Sequence, residues 1–220
     1  MTVARGQFIV LEGTDGSGTT TQCRFLSEAI ERRGIRCLVT CEPSKGPVGQ
    51  LLRAALEKRL QRNGQAGSFD WATLALLFAA DRADHVMFEI EPALAAGAWV
   101  ISDRYTLSSL IYQSITAPRP EDARSWVTEL NRHARAADLV IVLDVMSDVA
   151  EARRAARGGE EELFDRRELQ TQLASAYCEA NQYSGATLEH IDGNAPTERV
   201  AATIWETVQK HFPDLCSVGA

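Results

Sequence analysis

Five short runs rich in β-branched and apolar residues constrain this sequence most: Phe8 to Leu11, Cys37 to Thr40, Trp99 to Ser102, Leu139 to Leu143 and Leu188 to Ile191. Each is bounded by Gly, Pro, Asp or Arg and reads as a β-strand. Their largely unbroken apolar character means that both faces of the sheet are covered, as in parallel sheets flanked by helices. Helical spacing fills the segments between them. The fold class that follows is α/β, a three-layer αβα arrangement with a doubly wound five-stranded parallel sheet. At 220 residues, with no internal repeat and no break in composition, one domain over 1–220 is expected.

The stretch from Asp70 to Ala96 has the length and period of one long helix, with Trp71, Leu74, Leu77, Phe78, Ala80 and Val86 at three- and four-residue steps. Pro92 is expected to bend its end. Gln61 to Ser68 and Arg157 to Arg167 read as loops, the second as a charged flap within a lid spanning about residues 153–167, and Ser217 to Ala220 as a frayed end.

Apolar residues at 45% and charged residues at 24% describe a globular chain rather than a disordered one. The net charge of -7 opposes general attraction to a nucleic-acid polymer or an anionic membrane, so any polyanion must be met by a local basic pocket. No apolar run approaches the roughly 20 residues that span a bilayer, and Met1 to Gly6 lacks the apolar stretch of a secretory signal. Cys23, Cys37, Cys41, Cys178 and Cys216 are odd in number and form no C-x-x-C pair, which favours free thiols and a cytoplasmic location.

Directly after the first strand the chain reads Gly13-Thr14-Asp15-Gly16-Ser17-Gly18-Thr19-Thr20, with a helical pattern from Thr21. Strand, glycine loop and helix in that order let successive N–H groups converge on phosphate oxygens at a positive helix end. The full phosphate-loop motif ends in Gly-Lys followed by Ser or Thr; here Thr19 stands in the lysine's place.

Further constellations fall at strand ends, where open parallel sheets bind ligands. Asp103 after the third strand is placed to hold magnesium through water, and Arg104 offers a planar fork for phosphate. Phe78 and Arg82, four apart, share a helix face. They suit a base and its carbonyl edge, or else a core aromatic and a salt bridge with Asp81 or Asp84. Glu42-Pro43 opens the loop after the second strand, with Arg53 on the helix beyond. Arg153, Arg154, Arg157, Arg166 and Arg167 cluster about the flap, where Glu160, Glu161 and Glu162 would balance them on a solvated helix face.

Taken together, FIVLEGTDGSGTTTQ, LLFAADRADHV and VISDRYTLSSLIYQ resemble the three motif blocks of thymidylate kinases, in matching order and spacing. The similarity extends to LVIVLD, the arginine-rich lid before Tyr177, and IDGNAP. It implies transfer of the γ-phosphoryl of ATP to dTMP with Mg2+ as cofactor, and a symmetric homodimer. By motif, the resemblance implies ATP phosphates on Gly13 to Thr20 with Thr21 beyond, Mg2+ on the Thr20 hydroxyl and adenine against Arg153. It implies thymine stacked on Phe78 and bonded by Arg82, with Ser109 and Gln113 along its other edge and Tyr112 against the sugar. Asp15 would face the 3′-hydroxyl and phosphate of dTMP, Arg53 and Arg104 would grip that phosphate, and Glu42 would sit near it and the metal. Arg157, Arg166 or Arg167 would be the lid's catalytic arginine.

The sequence departs from that pattern at Thr19, at Cys41 where an arginine is common, and at Ser44-Lys45 where two glycines usually follow. Loss of one charged stabiliser slows phosphoryl transfer by about a hundredfold unless it is replaced. Lys45 or a lid arginine would supply the replacement. Two alternatives stand beside the kinase: a nucleotide-binding protein that lost its chemistry with the lysine, and a kinase of another nucleoside monophosphate, against which Arg82 and Gln113 argue.

Overall fold

The computed structural model describes residues 5–62, 65–66, 69–158, 163–164, 166–183 and 188–216. Strand β1 (Phe8–Gly13) runs through the glycine loop into α1 (Thr19–Glu31), and β2 (Cys37–Cys41) leads to α2 (Pro47–Leu56). Within the stretch whose glycines predict a loop, β3 (Gln61–Arg62) and β4 (Gln65–Ala66) pair antiparallel. There follow α3 (Trp71–His85), a π-helical turn at Val86–Ile90, α4 (Glu91–Ala95), β5 (Trp99–Asp103), α5 (Thr106–Thr116) and α6 (Pro120–Leu130). The chain closes with β6 (Leu139–Asp144), α7 (Ser147–Arg157), α8 (Arg167–Cys178), β7 (Leu188–Asp192) and α9 (Thr197–His211).

The five-stranded sheet has the order β2-β5-β1-β6-β7, and every pairing in it is parallel. Alternate residues of the apolar runs serve opposite layers. Ile9, Leu11, Ile101 and Ile141 pack against Leu26 and Ile30 of α1 and Ile204 and Val208 of α9. Phe8, Val10, Val100 and Val140 meet Ile90 and Leu94 on the other face, where Val142 lies with Ile111 and Leu173. Each such side chain contributes about 1.5–3 kcal/mol when buried, so a central strand must be apolar on both sides.

Three boundaries differ from the sequence expectation. Each sheet strand runs one or two residues further, taking in Glu12 and Gly13, Cys41, Asp103, Asp144 and Asp192. Ladder hydrogen bonds need only backbone, so pairing continues past the last apolar side chain. Helix α1 begins at Thr19 rather than Thr21, because Gly18 at φ 97° forms the cap without a side-chain bond. The long helix widens before Pro92: the Glu91 N–H donates to the Val86 carbonyl, five residues back. Pro92 lacks an N–H and crowds the carbonyl of Phe88, inside that turn.

No helix among the described residues is long and apolar enough to cross a membrane. Residues 159–162 and 165, which include the Glu160 to Glu162 run, lie outside the described residues, as do the side chain of Arg157 and Ser217 to Ala220.

Candidate active site

The glycine loop joins the carboxyl end of β1 to the amino end of α1 and lines one cavity. Gly16 has φ 88°, and a Cβ there would lie 2.4 Å from the Ala150 carbonyl oxygen of α7, so both conformation and close approach require glycine. The Ser17 N–H closes the loop on the Thr14 carbonyl at 3.0 Å. Thr14 Oγ1 and Ser17 Oγ are buried without a hydrogen-bond partner among the described residues. With the uncapped N–H groups of the first turn of α1, they form a cradle for an anion. Thr14, Thr19, Thr20 and Thr21 all line this cavity, and Thr19 itself is buried.

Thr20 Oγ1 donates to Asp103 Oδ2 at 2.5 Å, while Asp103 Oδ1 is buried without a partner among the described residues. One hydroxyl and one carboxylate are hard oxygen donors of the kind Mg2+ accepts while keeping phosphate and water in the rest of its shell. Among the described residues no group of three or more His, Cys, Asp or Glu could hold a metal unaided.

A second cavity opens beside the first, and among the described residues the two share Asp15 and Arg104. Arg104 has φ 70°, a left-handed conformation held by its N–H bond to the Leu11 carbonyl at 2.9 Å. Its Nη1 donates to the Gly13 carbonyl at 2.6 Å and to Tyr177 OH at 3.1 Å, and its Nη2 to Asp15 Oδ1 at 2.6 Å. Burial works against the Asp15 carboxylate. Arg104, hydrogen bonds from Tyr112 and Gln170, and the charge of Arg154 outweigh it, so its pKa lies below the ordinary value.

Beneath them Glu12 is fully buried and accepts from the N–H groups of Tyr105 at 2.9 Å and Ser108 at 3.2 Å and from Ser108 Oγ at 2.5 Å. A carboxylate at the amino end of α5 complements the helix dipole. Burial nevertheless raises its pKa, against the lowering effects of Ser108, Arg104 and Tyr105.

The far wall of the second cavity is built on α3 and α5. Arg82 is 1% exposed; its Nη2 contacts Glu42 Oε2 at 2.5 Å, the Tyr105 carbonyl at 3.0 Å and Ser109 Oγ at 3.0 Å, and Nη1 reaches Asn131. Its ion pair is thus with Glu42 rather than Asp81 or Asp84. Asp81 instead accepts from Ser44 N at 2.7 Å and Ser44 Oγ at 2.5 Å. Phe78, Ser109 and Tyr112 line the same space. So does Gln113, fully buried with both carboxamide atoms unpartnered among the described residues. Arg53 lines the cavity from α2, with Nη2 on Cys41 Sγ at 3.3 Å and on the Pro43 carbonyl.

Several sequence candidates lie elsewhere. Glu42 sits in the second cavity against Arg82 and His85, apart from the Thr20–Asp103 pair of the first. Lys45 is exposed and lines neither cavity. Arg166 borders a separate groove with Trp71 and Leu169, and Arg167 is exposed, paired with Glu151 at 3.4 Å. The Arg157 side chain is outside the described residues. Arg153 does border the glycine loop, with Nη1 on the Gly193 carbonyl at 2.9 Å and the Ser17 carbonyl at 3.4 Å.

Sequence reasoning missed Glu12, Ser108, Tyr177 and Gln170, and left Arg154 undistinguished within its cluster. Glu12 carried a usable signal, a carboxylate closing an apolar strand just before the glycine loop.

A thymidylate kinase family model matches residues 11–204. The chain belongs to the thymidylate kinase family. It is 34% identical over 213 residues to the thymidylate kinase of Magnetococcus marinus, covering 94% of this chain and 98% of that one. Identity to a probable thymidylate kinase of Pyrococcus abyssi is 42% over 173 residues, covering 79% and 82%. Identity to a thymidylate kinase of Rhodopseudomonas palustris is 37% over 217 residues, covering 94% and 90%.

Proposed function

We propose that this chain transfers the γ-phosphoryl group of ATP to dTMP, giving ADP and dTDP, with the triphosphate on the glycine loop and the thymine nucleotide in the adjoining cavity. The observation that carries this reading is the junction: Asp15 and Arg104 border both cavities, so phosphates entering from the two sides meet there.

Phosphoryl transfer asks for alignment and charge neutralisation more than for covalent help. Phe78 supplies a plane for thymine, and the Gln113 carboxamide, unpaired among the described residues, supplies a donor and an acceptor for its edge. The ion pair with Glu42 and the bond to Ser109 fix Arg82, whose Nε is buried without a partner among the described residues. Tyr112 holds Asp15, and Asp15 holds the Arg104 fork in position for the acceptor phosphate, with Arg53 as second cation. Mg2+, when bound on Thr20 and Asp103, would neutralise phosphate charge. Arg153 flanks the adenine end.

We also propose a homodimer, supported by the exposed Leu76, Met87 and Phe88 on α3 and the π turn. The four described cysteines are free thiols, which supports a cytoplasmic setting.

An ADP-release assay run with dTMP, dUMP, dCMP and dGMP tests the function. The highest kcat/KM is expected for dTMP. Binding of dTMP and ATP by calorimetry with no product would favour the nucleotide-binding alternative, and preference for another monophosphate would favour the third reading.

A further inference from the structure

The position after Gly18 normally supplies an ammonium group to the β- and γ-phosphates. Thr19 offers no charge there, and Lys45 lies outside both cavities. The donor cavity nevertheless has three cationic side chains among its described lining residues: Arg104, Arg153 and Arg154. Arg104 is spoken for by Asp15, the Gly13 carbonyl and Tyr177 on the acceptor side. Arg153 spends its Nη1 on two carbonyls, that of Gly193 at 2.9 Å and that of Ser17 at 3.4 Å.

Arg154 reaches the loop at Asp15 and Gly16. Its Nη1 donates to the Asp15 carbonyl oxygen at 2.5 Å and to Gln170 Oε1 at 3.2 Å. Its stem lies against Gly16, where Cγ is 3.1 Å from the position a Cβ would take. Gln170, 3% exposed, bonds both Asp15 Oδ2, at 3.3 Å, and the Phe164 carbonyl, at 2.9 Å, so it fixes Arg154 to the loop and to the start of the lid's return. Both bonds of Arg154 use Nη1. A guanidinium carries five donors, so among the described residues Nη2 and Nε remain for phosphate oxygens.

We infer that Arg154 replaces the missing phosphate-loop lysine, delivering from α7 the positive charge that the family pattern delivers from α1, with Gln170 as its positioning residue. The inference rests on the proposed function. As the bond from an oxygen of the dTMP phosphate to the γ-phosphorus forms, the bond to the β,γ-bridging oxygen breaks. The electron pair leaves with ADP, and Arg154 neutralises the charge that builds on those oxygens. A planar fork serves two oxygens at once, which a single ammonium does as a point charge.

The test is a cycle of Arg154→Ala, Thr19→Lys and their combination, with Lys45→Ala as the rival cation. Arg154→Ala is expected to lower kcat by about a hundredfold and to weaken a non-hydrolysable ATP analogue, measured by calorimetry, by about tenfold or more. Its KM for dTMP and its thermal shift with dTMP should stay near the parent's, which shows that the variant folds. Adding Thr19→Lys should restore most of both losses, whereas Lys45→Ala should lose less than about twofold. Arg154→Ala within threefold of the parent, no rescue by Thr19→Lys, or the large loss falling on Lys45→Ala would each overturn the inference. Should Arg154→Ala misfold, Thr19→Lys alone decides: a gain under about threefold fits a site already supplied with charge, and a gain of tenfold or more refutes it. A parent that binds the analogue through Arg154 yet makes no dTDP would sink the kinase reading and leave this assignment standing; a parent that does neither overturns both.

Discussion

At the scale of single residues, the site is marked by buried polar groups left without partners among the described residues. A buried carboxamide without partners is destabilising until something bonds it. Gln113→Leu is therefore expected to leave the thermal midpoint unchanged or higher while raising KM for dTMP by about tenfold or more, read from melting curves and initial rates together. Asp15 shows the opposite economy. Its folded pKa lies below the ordinary 3.8, so the carboxylate's stabilising contribution is complete above 3.8 and is lost as the pH falls through the folded value. Urea denaturation should find Asp15→Asn less stable than the parent at pH 7, with the gap closing below about pH 3.8; a gap that widens in acid would contradict the assignment. Motif spacing made Gly13 to Thr20, Phe78, Arg82 and Gln113 legible. Gln170 was not, because a glutamine inside an amphipathic helix has no pattern of its own, and its role exists only through the neighbours that folding brings to it.

Among the elements, the contact between α7 and the glycine loop closely constrains the first cavity. Gly16→Ala would combine a left-handed backbone, worth about 1–2 kcal/mol for a residue with a side chain, with a Cβ driven into the Ala150 carbonyl. It should lower kcat/KM for ATP more than for dTMP, a difference visible in paired titrations. Truncating the sheet's cladding acts differently: Leu26→Ala on α1 removes a side chain 3% exposed and should cost about 2–5 kcal/mol of stability. The five strands were readable because their apolar runs are nearly unbroken. Their last residues were not, since Glu12, Asp103 and Asp144 look like the start of loops although backbone pairing carries the ladder through them. The RR pair at 153 and 154 was ambiguous for a related reason: adjacent helical residues differ by about 100° in direction, and only the packing of α7 decides that Arg153 meets the Ser17 carbonyl and Arg154 that of Asp15.

For the molecule as a whole, a net charge of -7 coexists with a junction framed by Arg53, Arg82, Arg104, Arg153 and Arg154. Local geometry, not overall sign, decides where a polyphosphate settles. If the exposed ring of Phe88 is covered by a second copy, Phe88→Glu should turn a dimer into a monomer by light scattering while leaving the melting of each subunit cooperative. The strand order carries a consequence for how the chain is made. The middle strand, Phe8–Gly13, leaves the ribosome well before its two partners, Trp99–Asp103 and Leu139–Asp144. In a nascent polypeptide that stops short of Leu139, the edge of this strand that β6 will cover, apolar from Phe8 to Leu11, is still unpaired. This segment is therefore the natural client for chaperones during synthesis.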